Sequence, residues 1–267
     1  MIKAAVLGSP ISHSLSPLLH NTAYAQIGLS ASYEAIEVKA HFLAKFMDER
    51  DASWTGFSLT MPLKEEAISY AKHVDDLALR INSANTLYRK AGEWYATSTD
   101  VIGFKNALEM HKVEIKGHVV ILGAGATARA AAASCDSPQT QITVINRSLA
   151  RVQAMSDAVI ESELSFLNWD DLSVLADADL VISTAPAGVT DSIELPAKTL
   201  APYFEALYKP WPTPASAMWA SRGGKVIDGL DLLIHQALAQ IAIFSGETFD
   251  SALMYTKLRE VGLAALK

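Results

Sequence analysis

The sequence feature that most constrains the fold is GAGATA at positions 123–128, which follows the apolar run HVVIL and opens the helical run TARAAAA. The pattern G-x-G-x-x-A between a strand and a helix is typical of a Rossmann βαβ unit. The first glycine permits a tight turn, the second lets the backbone approach a pyrophosphate, and the alanine keeps helix and strand close. N–H groups at the helix start then face the phosphates. The candidate cofactor residues of this loop are Gly123, Ala124, Gly125, Ala126, Thr127 and Ala128.

The end of the next strand, QITVIN, indicates which dinucleotide binds. An NAD enzyme needs Asp or Glu there for the ribose 2′-hydroxyl, whereas a guanidinium can bind a 2′-phosphate with paired hydrogen bonds. This chain has arginines and no acid at that place, so we predict NADP rather than NAD. Solvated surface charges are the alternative reading. The candidate residues are Asn146, Arg147, Ser148 and Arg151.

A later strand, DLVIS, runs into TAPAG at 184–188. Strand ends on the cofactor side of an open α/β sheet line the ligand crevice, so this segment is expected to touch the nicotinamide or its ribose. An ordinary proline turn is the alternative. Further candidate cofactor residues are Thr184, Ala185 and Gly229.

Strand and helix patterns alternate along the whole chain, which predicts an α/β fold with two lobes. The first is expected to be a mainly parallel substrate-binding and catalytic domain of residues 1–99 plus 237–267. The second, residues 100–236, is the Rossmann domain. A hairpin turning at Ala91-Gly92 is the expected antiparallel exception, and the C-terminal helix, near Ser251 to Val261, is expected to return to the first lobe.

Composition narrows the class of protein. The 267 residues carry a formal net charge of −7 and include one cysteine, Cys135. Acidic balance without a basic block argues against a nucleic-acid protein, and no apolar run approaches the ~18 residues of a membrane span. We expect a cytoplasmic protein that acts on small molecules as a monomer or homodimer, with neither nucleic acid nor membrane as a partner.

The segment TMPLKEE places a cation at an unusual position. Pro62 predicts the first position of a helix reaching about Lys72, which puts Lys64 in the first turn, where the helix dipole disfavours positive charge. A nicotinamide cofactor carries only hydride, so its partner domain must supply a proton donor and acceptor. Lys64 fits that role, with Asp100 as its partner carboxylate. Each has a plainer alternative, a solvated lysine and a helix cap.

These motifs and several others, in this order, resemble the shikimate dehydrogenase family over nearly the whole length. GSPISHSLSPLLHN is similar to the family's opening motif, TMPLK to its T-x-P-x-K, and SANTL and STD to the segments that follow. YKP at 208–210 and GLDLLIHQA near the C-terminus resemble its closing motifs. In the opening motif Ser16 is also expected to cap the helix from Pro17 to Gln26.

The resemblance implies a reaction and roles for individual residues. NADPH would give hydride to the ketone carbon of 3-dehydroshikimate while Lys64, the acid/base, protonates the oxygen to give shikimate. The hydroxyls of Ser14 and Ser16 would hold the substrate carboxylate, and the ring hydroxyls would meet other side chains that can all form hydrogen bonds. The implied substrate residues are Ser14, Ser16, Thr60, Asn85, Asp100, Tyr208 and Gln236.

The chain also departs from the family pattern. Ser58 and Ser98 stand where asparagine is usual, and Asp231 stands in place of glycine in the closing motif. Two alternatives stay open: a quinate or dual quinate/shikimate dehydrogenase, and an NADP(H)-binding sensor without catalysis. The sensor predicts a missing acid/base group, yet Lys64 and Asp100 are both present.

Overall fold

A computed structural model describes residues 1–193 and 201–267 of the chain. The strands, numbered in chain order, are β1 (Ile2–Gly8), β2 (Ala31–Glu37), β3 (Gly56–Leu59), β4 (His73–Val74), β5 (Thr86–Lys90), β6 (Glu93–Thr97), β7 (Gly117–Leu122), β8 (Thr140–Asn146), β9 (Glu163–Asn168), β10 (Leu180–Ser183), β11 (Tyr203–Glu205) and β12 (Val226–Ile227). The helices are α1 (Ser16–Gln26), α2 (Leu43–Asp48), α3 (Glu66–Tyr70), α4 (Asp76–Arg80), α5 (Asp100–Met110), α6 (Ala126–Cys135), α7 (Val152–Ala158), α8 (Pro214–Ser221), α9 (Gly229–Ser245) and α10 (Ser251–Ala265).

The backbone forms two compact units, and the α/β prediction is confirmed. The first unit contains Met1–Thr99 and Ile234–Lys267, and the second contains Asp100–Leu233. Within the first unit, the C-terminal helix α10 packs on α1, as expected for a chain end that returns to this lobe.

The described residues of the first unit form a sheet of six strands in the order β2-β1-β3-β5-β6-β4. β1 pairs in parallel with β2 and β3, and β6 with β4. Only β5 runs the other way, since it is antiparallel to both β3 and β6. The β5–β6 hairpin turns at Ala91 and Gly92, both with positive φ (51° and 84°), as a tight two-residue turn requires. The mainly parallel sheet with one antiparallel hairpin is therefore confirmed.

Large aromatic side chains fill the core of this sheet. Phe57 of β3 is fully buried and stacks on Trp54 with ring centroids 4.8 Å apart, and Trp94 of β6 lies 5.6 Å away. Aromatic rings bury much apolar area with little loss of rotamer freedom, so they fix the strands that carry them.

The predicted helix start at Pro62 is wrong. Residues 61–65 form turns, and α3 begins only at Glu66, so Lys64 lies before the helix rather than in its first turn. The reason lies in the backbone carbonyls. Met61 O accepts from Ser9 N at 3.0 Å and Lys64 O accepts from Ala84 N at 2.9 Å, so neighbouring segments use the acceptors that a helix would need.

The predicted cap of α1 is also wrong, because the cap position is Leu15, one residue earlier. Ser16 is the first helical residue and forms no cap with its side chain. Instead the hydroxyl of Ser14 accepts from the N–H of Ser16 at 3.2 Å. Proline at the second helical position lacks an N–H, so this bond satisfies one of the few donors that the helix start leaves open.

The second unit has the strand order β12-β11-β10-β7-β8-β9, with every neighbouring pair parallel. In order of appearance this is the 3-2-1-4-5-6 arrangement of a doubly wound dinucleotide-binding sheet. The prediction missed β9, whose sequence ELSFLN pairs along the outer side of β8. An edge strand is half exposed and lacks the continuous apolar run that marked its neighbours.

The core of the second unit combines aliphatic strand residues with buried aromatic rings, which include the pairs Phe104–Phe204 and Tyr203–Trp219. β7 and β10 bury their apolar residues completely, and Trp219 of α8 packs with them at 0% exposure. Its indole N–H donates to Ala201 O at 2.8 Å, which satisfies the polar end of the ring. In the described residues no helix is long and apolar enough to cross a membrane.

Candidate active site

The segment between β1 and α1 carries the two serines assigned to the substrate carboxylate. Ser14 is half-buried, and Ser16 is 5% exposed at the first position of α1. Two hydroxyls at the positive end of an eleven-residue helix offer an anion neutral donors and a favourable dipole.

The segment after β3 carries Thr60 and Lys64, both half-buried. Thr60 N donates to Leu7 O at 2.9 Å, which ties this segment to the end of β1. Gly8 allows the approach, because a Cβ at this position would collide with the Thr60 methyl group and would lie 2.9 Å from Met61 O. This tight packing of the backbone fixes the start of the segment that carries Lys64.

Asn85 lies beside this segment, held by backbone and side-chain bonds. Its backbone carbonyl accepts from Leu59 N at 2.7 Å. Its side chain is 2% exposed, and its Oδ1 accepts from Thr99 N at 2.8 Å and from Thr86 Oγ1 at 2.7 Å. Its Nδ2 donates to Thr99 Oγ1 at 2.9 Å. These bonds fix which end of the amide is oxygen.

Helix α9 brings Gln236 to Asn85. The Oε1 of Gln236 accepts from Asn85 Nδ2 at 3.2 Å, and the glutamine is 8% exposed. The compact first unit resumes at Ile234, so Gln236 belongs to it. The residues assigned to the substrate from both ends of the chain thus meet in one unit.

Two assigned residues stand in the second unit. Asp100 is the first residue of α5 and is 5% exposed. Tyr208 is half-buried in the segment after β11. The charge of Asp100 is placed where a helix start favours an anion.

The glycine loop has the geometry that its sequence predicts. Gly123 follows β7 with φ of 109°, and a Cβ there would lie 2.7 Å from Thr184 Oγ1. Gly125 is the extended residue before α6, and a Cβ there would meet nothing within 4 Å. Ala128 is fully buried against the sheet. The loop therefore leaves open space beside the N–H groups of α6, which fits a pyrophosphate.

The end of β8 presents the residues assigned to the 2′-phosphate. Asn146 Nδ2 donates to Ser148 O at 2.7 Å, which closes the turn. Arg147, Ser148 and Arg151 are exposed, and Arg151 precedes α7. Two guanidinium groups within this short turn fit a phosphate dianion.

The end of β10 approaches the glycine loop. Thr184 N and Oγ1 both donate to Leu122 O, at 2.9 and 3.0 Å, and Ala185 is buried. Gly229 begins α9 where a Cβ would collide with the backbone of Ala206 and Leu207. Thr184 and Ala185 therefore lie at the carboxyl end of β10, and Gly229 packs on the segment that follows β11.

A buried acid that the sequence did not indicate holds the segment around Tyr208. Glu205 is fully buried at the end of β11. Its carboxylate accepts from Leu207 N at 3.3 Å, Thr213 Oγ1 at 3.3 Å and Tyr203 OH at 3.1 Å. Burial raises the pKa of Glu205, and the hydrogen bonds oppose the rise. One carboxylate thus anchors both ends of the 206–213 segment.

Asp231, a departure from the family pattern, is turned into the second unit. It is 1% exposed, and its Oδ2 lies 2.7 Å from His111 Nε2. The pair joins the end of α5 to the start of α9. Asp231 therefore stabilises the packing of these two helices within the second unit.

The sequence reading missed Gln240 as well as Glu205. Gln240 is 1% exposed and forms bonds to Ser58, Asn85 and Thr86. Its spacing was the available signal, because a residue four positions after Gln236 lies on the same face of a helix. No group of three or more His, Cys, Asp or Glu that could hold a metal occurs in residues 1–193 and 201–267.

Fold and motifs together define the class. This is a two-unit α/β protein whose second unit has the topology and glycine loop of dinucleotide-dependent oxidoreductases. Residues 6–87 match the family model described as shikimate dehydrogenase substrate binding domain, and residues 107–190 match shikimate / quinate 5-dehydrogenase.

Individual relatives agree over almost the whole chain. The shikimate dehydrogenase (NADP(+)) of Ignicoccus hospitalis is 32% identical over 91% of this chain and 92% of its own. The crystal structure of Mycobacterium tuberculosis shikimate dehydrogenase has a TM-score of 0.86 at 34% identity, covering 97% of this chain and all of that one. The crystal structure of the Thermus thermophilus shikimate 5-dehydrogenase in complex with NADP(H) and shikimate has a TM-score of 0.86 at 30% identity. The match covers 97% of this chain and 99% of that one. The chain belongs to the shikimate dehydrogenase family.

Proposed function

We propose that the chain is an NADP-dependent oxidoreductase that reversibly reduces 3-dehydroshikimate to shikimate, a step of chorismate and aromatic amino acid biosynthesis. The observation that carries this proposal is the full-length similarity to a solved relative in complex with NADP(H) and shikimate. The first unit would be the substrate-binding and catalytic domain, and the second the NADP-binding domain.

The fit of NADP to this chain rests on two features of the second unit. The open space at Gly125 accepts a pyrophosphate at the start of α6, and the exposed Arg147 and Arg151 match a 2′-phosphate. NADPH supplies the hydride for the ketone carbon when bound. The remaining cofactor positions in the proposal are Gly123, Ala124, Ala126, Thr127, Ala128, Asn146, Ser148, Thr184, Ala185 and Gly229.

The chain's own residues supply the rest of the chemistry. Lys64 Nζ would donate a proton to the carbonyl oxygen during reduction and take it back from the hydroxyl during oxidation. Asp100 is the carboxylate proposed to pair with it. Ser14 and Ser16 would hold the carboxylate. The ring hydroxyls are assigned to Thr60, Asn85, Asp100 and Gln236, and Tyr208 is assigned a place near the nicotinamide and the substrate carboxylate.

The polar character of the first unit supports a hydroxyl-rich acid as substrate. Asn85 and Gln236 are buried amides of fixed orientation, and a site built to pair hydroxyls rejects analogues that lack them. We also propose a cytoplasmic location, supported by the single cysteine, which is free and buried and allows no disulfide within the chain.

A spectrophotometric assay at 340 nm tests the function directly. Shikimate and quinate are each supplied with NADP⁺ and with NAD⁺. We expect kcat/KM to be highest for shikimate with NADP⁺, by at least about tenfold over each other pair. Quinate is included because the matched family description names it. A preference for quinate or NAD⁺ would contradict the assignment, and absence of NADPH formation with both acids would favour the non-catalytic sensor.

A further inference from the structure

A continuous line of buried hydrogen bonds crosses the first unit from β2 to α9. We call it the relay, and its members are Tyr33, Ser58, Gln240, Thr86, Asn85 and Gln236. All six side chains are at most 8% exposed. Two of them, Asn85 and Gln236, are proposed substrate residues, and the other four have no assigned role.

The first half of the relay has a defined direction. Tyr33 OH donates to Ser58 Oγ at 2.6 Å, and Ser58 Oγ donates to Gln240 Oε1 at 2.7 Å. A serine hydroxyl has one hydrogen. Because Ser58 gives that hydrogen to Gln240, it has none to donate to a ligand oxygen.

The second half continues in the same direction because the backbone orients Gln240. Its Nε2 donates to the carbonyl of Asn85 at 3.0 Å, which only the nitrogen end of the amide can do. The same nitrogen donates to Thr86 Oγ1 at 2.9 Å, and Thr86 Oγ1 donates to Asn85 Oδ1.

The relay ends at the proposed substrate residues. Thr99 N also donates to Asn85 Oδ1, so the nitrogen of Asn85 must face Gln236, where it donates to Oε1. Gln240, acting through Thr86, and the backbone N–H of Thr99 therefore together hold Asn85, and the orientation of Asn85 sets that of Gln236. Two backbone groups thus fix the directions along the relay as far as Gln236: the carbonyl of Asn85, which accepts from Gln240, and the N–H of Thr99, which donates to Asn85.

The relay carries no charge at ordinary pH. His20 stacks on Tyr33 with ring centroids 3.9 Å apart and is fully buried. Burial lowers the pKa of His20 to about 3, against the opposing hydrogen bond of Gln240, and burial raises the pKa of Tyr33. Neither ring therefore gains or loses a proton near neutral pH, and the directions of the hydrogen bonds in the relay stay the same.

We propose that Gln240 is a positioning residue that, through Thr86, reinforces the orientation of Asn85 and Gln236 for the ring hydroxyls, and that Ser58 serves Gln240 rather than the substrate. This inference rests on the proposed function for its consequence in catalysis. The physical reason is that small errors in the placement of substrate-binding groups cost binding and rate steeply. The asparagine that the family usually has at this position would supply two N–H donors from one side chain. Here Ser58 and Gln240 together form the hydrogen bonds at this place.

The test replaces Gln240 with methionine, which keeps length and volume but removes every hydrogen bond. We expect Gln240→Met to raise the KM for shikimate by about tenfold, with kcat and the KM for NADP⁺ changed less than about threefold. Ser58→Ala should give a similar but smaller change. The double variant should resemble Gln240→Met alone, because both changes break the same line.

The matched control is Gln153→Met, which removes an exposed glutamine of α7 whose side-chain nitrogen donates to Asp157 Oδ1 at 2.8 Å. It should leave all kinetic constants unchanged. A role in folding alone would lower the melting temperature of Gln240→Met without raising the KM for shikimate, and that outcome would overturn the proposal.

A readout without turnover separates this inference from the proposed function. In ¹⁵N spectra the side-chain amides of Asn85 and Gln236 should shift and lose protection from exchange in Gln240→Met, but not in Gln153→Met. Unchanged signals contradict the relay even if the enzyme is active. If the wild type does not turn over shikimate, the function fails while the spectra still decide whether Gln240 orients the two amides.

Discussion

In the described residues each unit has a six-stranded sheet, but the two units position their polar groups in different ways. In the first unit, buried amides and hydroxyls from distant segments form one neutral network, and its bond between Ser58 and Gln240 joins residues 182 positions apart. In the second, backbone N–H groups of a six-residue loop and exposed arginines stand at the ends of parallel strands. The glycine loop and the arginine turn of the second unit are each one short stretch of sequence, whereas the network of the first unit joins distant segments.

This difference corresponds to the ligand class proposed for each unit. A dinucleotide offers phosphates, which backbone dipoles and guanidinium groups can bind without deep burial. A small hydroxylated ring offers neutral donors and acceptors, which only a set of precisely oriented groups can distinguish. Burial and a long-range network provide that orientation in the first unit.

The largest expected effect comes from the proposed proton carrier of the first unit. Lys64→Ala should reduce kcat at least about a hundredfold, since a general acid/base contributes 10²–10⁴-fold, while NADP⁺ affinity changes little. Turnover at 340 nm and NADP⁺ titration by fluorescence measure the two effects. Lys45→Ala, at an exposed lysine of α2, is the control, and equal turnover in Lys64→Ala and the wild type would contradict the role.

The next effect belongs to the second unit. Arg147→Ala combined with Arg151→Ala should raise the KM for NADP⁺ by about 10- to 100-fold and leave the constants for NAD⁺ and shikimate close to wild type, because only NADP carries the 2′-phosphate. Steady-state kinetics with both cofactors test this expectation. Arg222→Ala removes another exposed arginine of this unit as a control. A proportional loss with both cofactors would mean that the arginines do not read the 2′-phosphate.

A third, smaller effect is a pH response of opposite sign at two buried groups, one in each unit. His20 of the first unit has a folded pKa of about 3 against an ordinary 6.5, so between these values the unfolded chain binds the proton and the folded chain does not. Stability therefore falls as pH falls, by roughly 2–3 kcal/mol between pH 7.5 and 4.5 at 1.36 kcal/mol per unit.

Glu205 of the second unit has the opposite linkage. Its pKa is raised, so its contribution is fully present below the ordinary value of 4.5 and is lost as pH rises through the folded pKa. Hydrogen exchange, corrected for intrinsic rates, should show protection of the first unit decreasing towards pH 4.5. His20→Phe should weaken that decrease. Glu205→Gln should flatten the response of β11 and the 206–213 segment, and identical pH trends in both variants and the wild type would contradict the assignments.

The smallest effect is expected at a feature that the two units share, a residue other than glycine with positive φ. Ala91, in the hairpin of the first unit, and Lys112, after α5 in the second, both have positive φ, 51° and 54°. Glycine adopts this region without the clash of a Cβ, so each substitution to glycine should stabilise its unit by about 0.5–1 kcal/mol. Urea unfolding measures the change, and destabilisation at either position would show that the side chain contributes more than its backbone strain costs.

Local sequence determined most of the second unit. The apolar run HVVIL, the glycines that follow and the arginines after QITVIN predicted the βαβ unit and the kind of dinucleotide, because strand, turn and helix signals lie next to one another. The hairpin at Ala91-Gly92 was predicted for the same reason. The motif order likewise predicted the family, which the full-length relatives confirm.

Only the tertiary structure decided how the first unit arranges its polar groups. Pro62 predicted a helix start, but Ser9 and Ala84 use the carbonyls of Met61 and Lys64, so the lysine lies in a turn. Gln240 and Ser58 had no visible relation in sequence, and Glu205 was one acid among many. Periodicity and local motifs report neighbouring residues, whereas buried polar groups are satisfied by whichever segments the packed core brings beside them.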